Sequence, residues 1–504
     1  MSSESTANRL INKRRSGVLL HPTSLPGPGR VGRIGPEAVR FLDWMQAAGF
    51  SLWQLLPLNP PQEDGSPYAC ISAFAGDIRL IDPDRLVADG WLADGGARMP
   101  LGQVLSDARR GLESASGDAW DEFGAFCTEQ ASWLEDFALF VVIKRLQGNR
   151  PWWTWPEPLR SREPARLEQL RAEAKEALEG VRFSQFVFFR QWHGLRAEAN
   201  ARDILILGDM PIFVAHDSAD VWAHPEYFDL DPQGQPVTVA GVPPDYFSET
   251  GQRWGNPHYR WDQMAADGFH WWLQRIGWAL EGLDGLRIDH FRGFEAFWSI
   301  PASEPTAIAG SWQPGPGAAL FEALLQHFGE LPLLAEDLGV ITPGVTALRD
   351  EFALPGMKIL QFAFDGSPDN PYLPEHHEER GVVYTGTHDN DTTLGWFESL
   401  PEASRTFVLE SLGVSVKAKD MPWALIEAAF ASPARLAVIP MQDAMALGGD
   451  ARMNTPGTAQ GNWSWRFDWK DLPAQRATEL RRMNEEAGRV VVQGDVAKKA
   501  PVTD

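Results

Sequence analysis

Residues 285–292 (GLRIDHFR) begin as an apolar strand and end in a cluster of charged side chains. In that cluster Asp289 stands between Arg287, His290 and Arg292. Neighbouring cations lower the pKa of a carboxyl group whereas desolvation raises it, so we expect Asp289 to stay ionised. A fixed, ionised carboxylate at a strand end can act as a nucleophile or stabilise positive charge. The same residues also suit a structural ion pair that caps the strand.

Two further acids follow short apolar runs: Glu336 follows residues 331–335, and Asp389 follows residues 382–385. If these runs belong to one barrel, the three carboxyl groups share its mouth. Two facing carboxyl groups with different pKa values suit glycosidic bond chemistry, in which ionised Asp289 attacks the anomeric carbon and protonated Glu336 protonates the leaving oxygen. Asp389 would bind substrate hydroxyls and stabilise an oxocarbenium-like transition state. Taken singly, each acid could instead cap a strand or a helix.

The elements that must position these acids are short apolar runs alternating with helical patterns. Eight continuous runs, typical of parallel strands buried on both faces, span residues 17–20, 52–56, 204–207, 286–288, 331–335, 357–364, 382–385 and 436–439. Apolar residues at helical spacing predict helices at residues 36–48, 269–280, 318–328, 345–352 and 424–430. This alternation predicts an α/β fold, a (β/α)8 TIM barrel with its site at the carboxyl ends of the strands. A doubly wound open sheet is the competing topology.

Two long insertions interrupt the predicted barrel. The first is mainly helical, with helices predicted at residues 130–146 and 164–192, and the second is rich in Gly, Pro and aromatic residues, as lids and binding loops often are. The predicted segments are residues 1–81 (two βα units), 82–201 (helical insertion subdomain), 202–214 (third strand), 215–261 (loop-rich lid), 262–490 (remainder of the catalytic barrel) and 491–504 (loosely ordered tail).

Composition narrows the classes of function. The 504 residues carry a formal net charge of -23, which disfavours binding to DNA, RNA or anionic membranes and suits a neutral substrate. The 22 tryptophans offer flat faces for sugars, although Trp also fills cores. Two distant cysteines fit a reducing cytosol, residues 1–16 do not resemble a signal peptide, and no apolar run approaches the roughly 20 residues of a membrane-spanning helix. We expect a cytoplasmic monomer or weak homodimer.

The acidic segments resemble the catalytic segments of the α-amylase clan, and most closely those of the amylomaltases, the 4-α-glucanotransferases of glycoside hydrolase family 77. The resemblance extends over residues 16–484. It rests on GLRID at 285–289, EDLG at 336–339, THDND at 387–391, HPTSLP at 21–26, SPY at 66–68, SAFAG at 72–76, GDMPI at 208–212, DSADVW at 217–222, AGVPPDYF at 240–247, GQRWGNP at 251–257, MNTPG at 453–457 and GNWSWR at 461–466.

The resemblance implies a role for each acid: Asp289 is the nucleophile, Glu336 the general acid/base and Asp389 the stabiliser of the transition state. It also implies that Arg287 and His388 hold the donor sugar and tune Asp289. Further residues implied to line the subsites are Tyr68, Asp217, Trp254 and Asn462.

The reaction that the resemblance implies is a retaining transfer. An α-1,4 bond of a glucan or maltooligosaccharide is cleaved through a covalent glycosyl-enzyme, and the 4-hydroxyl of another glucan or of glucose takes the glycosyl unit. This chemistry requires no metal ion and no cofactor. A plain α-1,4-glucan hydrolase with the same three acids is the alternative, since the choice depends on whether the lid keeps water from the intermediate. An inactive glucan-binding scaffold is the third hypothesis.

One segment departs from the family pattern. Family members often carry Gly-Tyr-Gly-Asp before the SPY motif, where this chain reads QEDG at residues 62–65. In the family that tyrosine belongs to an outer glucan-binding site. Its absence speaks against strong binding of long amylose there and against efficient formation of large cyclic products.

Three other patterns are better explained as structure. The run 27–32 (GPGRVG) fits a dinucleotide fingerprint, but Pro28 stiffens the loop and no acid-tipped second strand follows, so we predict a connecting loop. His376 and His377 have no evident third ligand, which favours a solvated loop over a metal site. Residues 391–393 are predicted to cap a helix.

Overall fold

The structure is a computed structural model that describes residues 9–115, 117–245, 248–458 and 460–491. Within these ranges the strands are β1 Arg15–Leu19, β2 Leu52–Gln54, β3 Leu205–Pro211, β4 Thr238–Val242, β5 Gln252–Pro257, β6 Gly285–Asp289, β7 Ala296–Pro301, β8 Ser311–Pro314, β9 Leu333–Ala335, β10 Gly356–Ile359, β11 Gly381–Tyr384 and β12 Leu436–Pro440. The predicted tail, residues 491–504, lies outside the described ranges except for residue 491.

Helices cover the outside of the strands and fill the first insertion. They are α1 Pro36–Ala47, α2 Pro83–Ala88, α3 Leu101–Ala115, α4 Asp118–Glu129, α5 Ala131–Leu146, α6 Glu157–Arg160, α7 Pro164–Glu173, α8 Lys175–Ala201, α9 Ala219–Ala223, α10 Trp261–Ala266, α11 His270–Gly282, α12 Ala318–Phe328, α13 Pro343–Glu351, α14 Thr393–Ser399, α15 Glu402–Leu412, α16 Met421–Ala431, α17 Met441–Ala444 and α18 Arg476–Glu486. No helix in the described ranges is both long and apolar enough to cross a membrane.

Eight parallel strands form a nearly closed barrel, in the order β10-β11-β12-β1-β2-β3-β6-β9. The Ala335 amide at the end of β9 donates to the Pro355 carbonyl just before β10, at 2.9 Å, and so brings the two ends of the sheet together. The TIM-barrel prediction is therefore confirmed, and the open doubly wound sheet is wrong. Each predicted apolar run contributes one of these strands.

Alternation along the strands explains why both faces are apolar. In β12, Leu436 and Val438 join a cluster that fills the barrel, whereas Ala437 and Ile439 join the larger cluster outside it. The inner cluster also takes at least one residue from six of the seven other barrel strands, including Leu19, Leu52, Leu207, Leu334, Met357 and Val382. A strand buried on both faces reads as a continuous apolar run, which is the pattern in the sequence.

The helical insertion is organised around the 27-residue helix α8, which leads from the insertion into β3. The Gln185 amide nitrogen donates to the Gly76 carbonyl while its oxygen accepts from the Gly76 amide, at 3.0 and 2.7 Å. A Cβ at Gly76 would lie 2.0 Å from the Phe188 ring, so only glycine allows this approach. Trp192 on α8 donates to the Gly282 carbonyl at the end of α11.

A second sheet stands beside the barrel. It is antiparallel, with strand order β5-β4-β7-β8. β4 and β5 lie within the predicted loop-rich segment 215–261, and β7 and β8 follow β6. None of these four strands is predicted from the sequence. The lid residues Tyr246 and Phe247 lie outside the described ranges.

Candidate functional site

Asp289 and Glu336 emerge side by side from neighbouring barrel strands. β6 and β9 pair in parallel with Ile288 opposite Ala335, so the next residues in register are the two acids. Inward and outward residues alternate along these strands, and Leu334 points into the barrel. Both acids therefore point toward the barrel axis at the carboxyl ends of their strands, where TIM barrels build their sites.

Arg287 holds Asp289 from below. Its guanidinium Nη1 lies 3.1 Å from the Asp289 carboxylate and 2.6 and 2.7 Å from the two carboxylate oxygens of Asp209. Asp209 is the cross-strand neighbour of Arg287 on β3, and both side chains are buried. Two carboxylates thus share one cation, which fixes its position and that of Asp289.

The surroundings set the charge of Asp289. Burial raises its pKa to about 6, Arg287 opposes that rise, and the neighbouring carboxylates Asp209 and Asp389 add to it. At neutral pH Asp289 is therefore mainly ionised, as the sequence predicts. The sequence also places Arg292 near Asp289 and so suggests a contact between them. That expectation is wrong, because the Arg292 guanidinium stacks 3.8 Å over the Trp312 ring and donates to the Val340 carbonyl instead.

Glu336 lies in a different environment. Its carboxylate accepts hydrogen bonds from the backbone amides of His290, at 2.6 Å, and Leu338, at 3.1 Å. His290 has a left-handed backbone with φ 53°, and at this turn its amide donates to the acid. Burial raises the pKa of Glu336 to about 8; Arg287 opposes this rise, and the negative charge of Asp289 adds to it. Glu336 is therefore mainly protonated at neutral pH.

Asp389 lies in the loop that follows β11. One carboxylate oxygen accepts from the Asn454 amide at 2.7 Å, and the other lies 3.3 Å from the His388 ring nitrogen. Burial raises the pKa of Asp389, but His388 and Asn454 outweigh it and hold the pKa well below its usual range. Asp389 is thus a permanent anion beside the other two acids.

Tyr68 joins the two sides of the site. Its hydroxyl donates to Asp209 at 2.7 Å, and its ring stacks on His388 with centroids 5.2 Å apart. Burial raises the pKa of the hydroxyl well above its usual range, so it remains a donor. Trp463 packs against both rings, 5.9 Å from Tyr68 and 6.0 Å from His388.

The structure places the other predicted binding residues at different distances from this cluster. Trp254 on β5 packs edge-on against the His290 ring, with centroids 4.9 Å apart, and so lies at the mouth. Asp217 instead pairs with Lys144 of α5 at 2.5 Å and accepts from the Trp152 amide. Its described contacts are with the helical insertion and Gln62, not with the acids.

Asn462 supports a loop. Its side chain accepts from the Thr455 amide at 2.9 Å and donates to the Thr458 carbonyl at 2.9 Å. In this way Asn462 links the described residues 455 and 458, which follow Asn454 in the chain.

Sequence reasoning missed three residues of the site. Asp209 is an acid near the carboxyl end of a barrel strand, and this position is the signal that could have found it. Asn454 and Trp463 come from a loop near the carboxyl end of the chain, and their spacing carries no signal of their approach to Asp389 and Tyr68.

The patterns interpreted as structure make local contacts. The Arg466 guanidinium donates to the carbonyls of Leu25, Gly27 and Gly29, which makes the loop 27–32 an anchor for residue 466. His377 contacts the Ser432 hydroxyl and the Tyr372 carbonyl, and His376 the Pro368 carbonyl. Thr392 caps α14 by accepting from the Gly395 amide, as predicted. Among the described residues, no group of three or more His, Cys, Asp or Glu could hold a metal ion.

Comparison with known proteins identifies relatives along almost the whole chain. A family model described as 4-alpha-glucanotransferase (glycoside hydrolase 77) matches residues 20–471. The chain is 51% identical to the 4-alpha-glucanotransferase of Thermus thermophilus, over 95% of this chain and 99% of that protein. It is 46% identical to the chloroplastic/amyloplastic 4-alpha-glucanotransferase of Solanum tuberosum, over 93% of this chain and 86% of that protein.

A solved structure agrees with these sequences. The amylomaltase of Streptococcus agalactiae in complex with acarbose superimposes with a TM-score of 0.91 and 35% identity, over 95% of this chain and 100% of that one. With three acids at the mouth of a TIM barrel and a match that spans both insertions, the chain belongs to the 4-α-glucanotransferase family, glycoside hydrolase family 77.

Proposed function

We propose that this 4-α-glucanotransferase works by a retaining double displacement in which Asp289 is the nucleophile and Glu336 the general acid/base. The observation that carries the proposal is the contrast between neighbouring acids. Asp289 lies 3.1 Å from a buried guanidinium and has a pKa of about 6, whereas Glu336 accepts from the backbone amides of His290 and Leu338 and has a pKa of about 8. Near neutral pH one acid is ready to attack and the other to donate a proton.

In the first displacement, Glu336 gives its proton to the glycosidic oxygen. The bond between that oxygen and the anomeric carbon breaks, while an Asp289 carboxylate oxygen forms a bond to the same carbon. The released fragment leaves with a free 4-hydroxyl, and the glycosyl unit stays on Asp289. We predict that the two carboxyl groups lie about 5–5.5 Å apart in a substrate complex, the separation that retention requires.

Asp389 stabilises the positive charge that develops on the sugar ring in the transition state of each displacement. Its depressed pKa keeps it ionised, and Asn454 and His388 fix its two oxygens, so the anion is already oriented when the charge appears. Tyr68 and His388 form a stacked pair against which the donor sugar can pack, and Arg287 keeps Asp289 in place.

In the second displacement, Glu336 accepts the proton of an incoming 4-hydroxyl, and that oxygen replaces Asp289 on the anomeric carbon. The acceptor is another α-1,4-glucan, a maltooligosaccharide or glucose. Trp254 and the strands β4 and β5 stand over this side of the mouth, where a bound acceptor would displace water from the intermediate. We also propose Trp254, Asn462 and Asp217 as subsite residues.

Purified protein given maltotriose tests the proposal. We expect glucose together with a ladder of longer and shorter maltooligosaccharides, because the released sugar and the remaining donor both serve as acceptors. Products that only shorten would identify a hydrolase and overturn the transfer step.

The Asp289→Asn variant tests the nucleophile. Loss of the attacking carboxylate lowers kcat by several orders of magnitude, since the covalent route closes. Asp284→Asn is the matched control, because Asp284 is a buried carboxylate just before the amino end of β6, where it accepts from the Ile206 amide and pairs with Arg196. Turnover that persists undiminished in Asp289→Asn would assign the nucleophile to another residue.

A further inference from the structure

Two tryptophans, Trp254 and Trp312, differ from the others in their exposure to solvent. Of the 22 tryptophans, all of which lie in the described ranges, only Trp254 and Trp312 are exposed, each to 38%. They lie on β5 and β8, the two edge strands of the antiparallel sheet beside the barrel. Each contacts the turn that follows Asp289: Trp254 packs against His290, and Trp312 covers Arg292. The two exposed indoles therefore flank the chain segment next to the proposed nucleophile.

Trp312 is exposed and yet firmly held. The Arg292 guanidinium stacks 3.8 Å from the ring centroid, and Trp298, opposite Trp312 on β7, packs edge-on at 5.1 Å. Trp298 is itself fixed by a hydrogen bond from its indole to the Ala307 carbonyl at 2.8 Å. A rigid aromatic side chain loses little conformational entropy when a ligand covers it. An exposed ring held in this way is a preformed stacking surface.

Arg292 joins this surface to the loop that carries Glu336. Its guanidinium donates to the carbonyl of Val340, whose side chain is 62% exposed and which lies four residues beyond Glu336. Trp312 and Val340 are thus two exposed apolar residues that both contact the guanidinium of Arg292, which follows Asp289 by three residues. This pair of residues continues from the site and does not stand apart from it.

We propose that Trp312, with Val340, is an outer binding site for the glucosyl units of long α-glucan chains whose other end reaches Asp289 and Glu336. This inference rests on the proposed function, because it takes its ligand from the substrate of that reaction. The apolar face of a pyranose ring stacks on an indole, and a neutral polymer is not repelled by a protein of charge -23. The site is distinct from the QEDG turn at residues 62–65.

The experiment compares short and long substrates in the Trp312→Ala variant. With amylose we expect KM to rise about fivefold to tenfold, the loss of one aromatic stacking contact, while kcat is retained. In this proposal maltotriose fills only the subsites at the acids, so both constants stay within about twofold of the wild type, and this result also shows that the variant is folded. Trp312→Phe keeps an aromatic face and recovers part of the amylose affinity.

Phe407→Ala is the matched control, since Phe407 is likewise an exposed aromatic residue, at 37%, but lies on α15, outside the barrel strands and the antiparallel sheet. It should leave KM for both substrates unchanged. Equal changes for amylose and maltotriose in Trp312→Ala, or none for either, would overturn the outer site. So would unchanged amylose kinetics accompanied by a new oligomeric state in size-exclusion chromatography, which would make Trp312 part of a protein interface. Failure of the proposed function is recognised separately, because the wild type would then give no maltotriose ladder.

Discussion

The two acids of the site differ because one cation is shared unequally around them. Arg287 donates to Asp209 and forms an ion pair with Asp289, whereas the hydrogen bonds that Glu336 accepts from described residues come from the backbone amides of His290 and Leu338. Removal from water favours the neutral form of both acids and the charge of Arg287 opposes that effect at both, but its guanidinium lies 3.1 Å from Asp289. The unequal pKa values of Asp289 and Glu336, on two paired strands, therefore follow from the position of the Arg287 side chain.

This arrangement predicts a bell-shaped pH profile of kcat/KM. Below about pH 6 Asp289 is protonated and cannot attack, and above about pH 8 Glu336 has lost the proton that the leaving oxygen needs. Activity should be highest near neutrality and fall about tenfold per pH unit on each side, with apparent pKa values that belong to the pair. Initial rates with maltotriose at low concentration, measured on the acid and the alkaline side of the optimum, give this pH dependence of kcat/KM.

Asp209→Asn tests whether the pKa of Asp289 sets the acid limb, the fall of kcat/KM on the low-pH side of the profile. Asp209 is a negative charge that raises the pKa of Asp289, so its removal should move the acid limb to lower pH. Asp284→Asn removes a buried carboxylate just before the amino end of β6 and should leave the limb in place. An acid limb that does not move in Asp209→Asn would contradict this account.

Residue types at strand ends could be predicted from the sequence, whereas their partners could not. Asp289, Glu336 and Asp389 each follow an apolar run, which is enough to place them at the mouth of a parallel barrel. The contacts of Arg292 and Asn454 depend on β8 and on a distant loop, and no local pattern encodes those approaches.

At the level of elements, residues 453–458 and 460–466 complete the site although they belong to no barrel strand. They bring Asn454 to Asp389 and Trp463 to Tyr68. Arg466 holds their far end by donating to the carbonyls of Leu25, Gly27 and Gly29 at 2.7–3.1 Å. The site therefore depends on a tether, the hydrogen bonds by which Arg466, near the end of the chain, holds the loop after β1.

Arg466→Ala should release this tether. We expect kcat/KM for maltotriose to fall about tenfold, because substrate binding must then order the loop. Hydrogen exchange of the backbone amides in residues 453–466 should become faster, while exchange in the barrel strands stays as it is. Arg482→Ala, which removes an exposed pair with Glu486, serves as control. Unaltered exchange in residues 453–466 would show that Arg466 is not the anchor.

The barrel strands were predictable for a physical reason that does not extend to the second sheet. Strands buried on both faces must be apolar throughout, and the sequence shows that as eight separate runs. β5 (QRWGNP) and β8 (SWQP) are short, exposed and interrupted by Gly or Pro, so they neither alternate nor run apolar. Only their pairing with β4 and β7 makes them strands.

At the scale of the whole molecule, the long helix α8 serves two parts of the chain. Its Phe183 and Phe186 pack against Phe123 in the insertion, with ring centroids 5.8 and 5.5 Å apart. Further along the same helix, Gln191 exchanges two hydrogen bonds with the backbone of Asp82, and Trp192 bonds to the Gly282 carbonyl at 2.9 Å. One helix is at once the centre of the insertion and the crossover between β2 and β3.

A shared helix makes the barrel and the insertion a single cooperative unit. We expect one heat-absorption peak in scanning calorimetry, with equal van't Hoff and calorimetric enthalpies. Gln191→Ala should destabilise both parts together by about 1–3 kcal/mol, since it leaves the buried backbone groups of Asp82 unpaired. Two resolved peaks would contradict this. Excising residues 82–201 would also remove the helix that joins β2 to β3, so the remaining strands could not close.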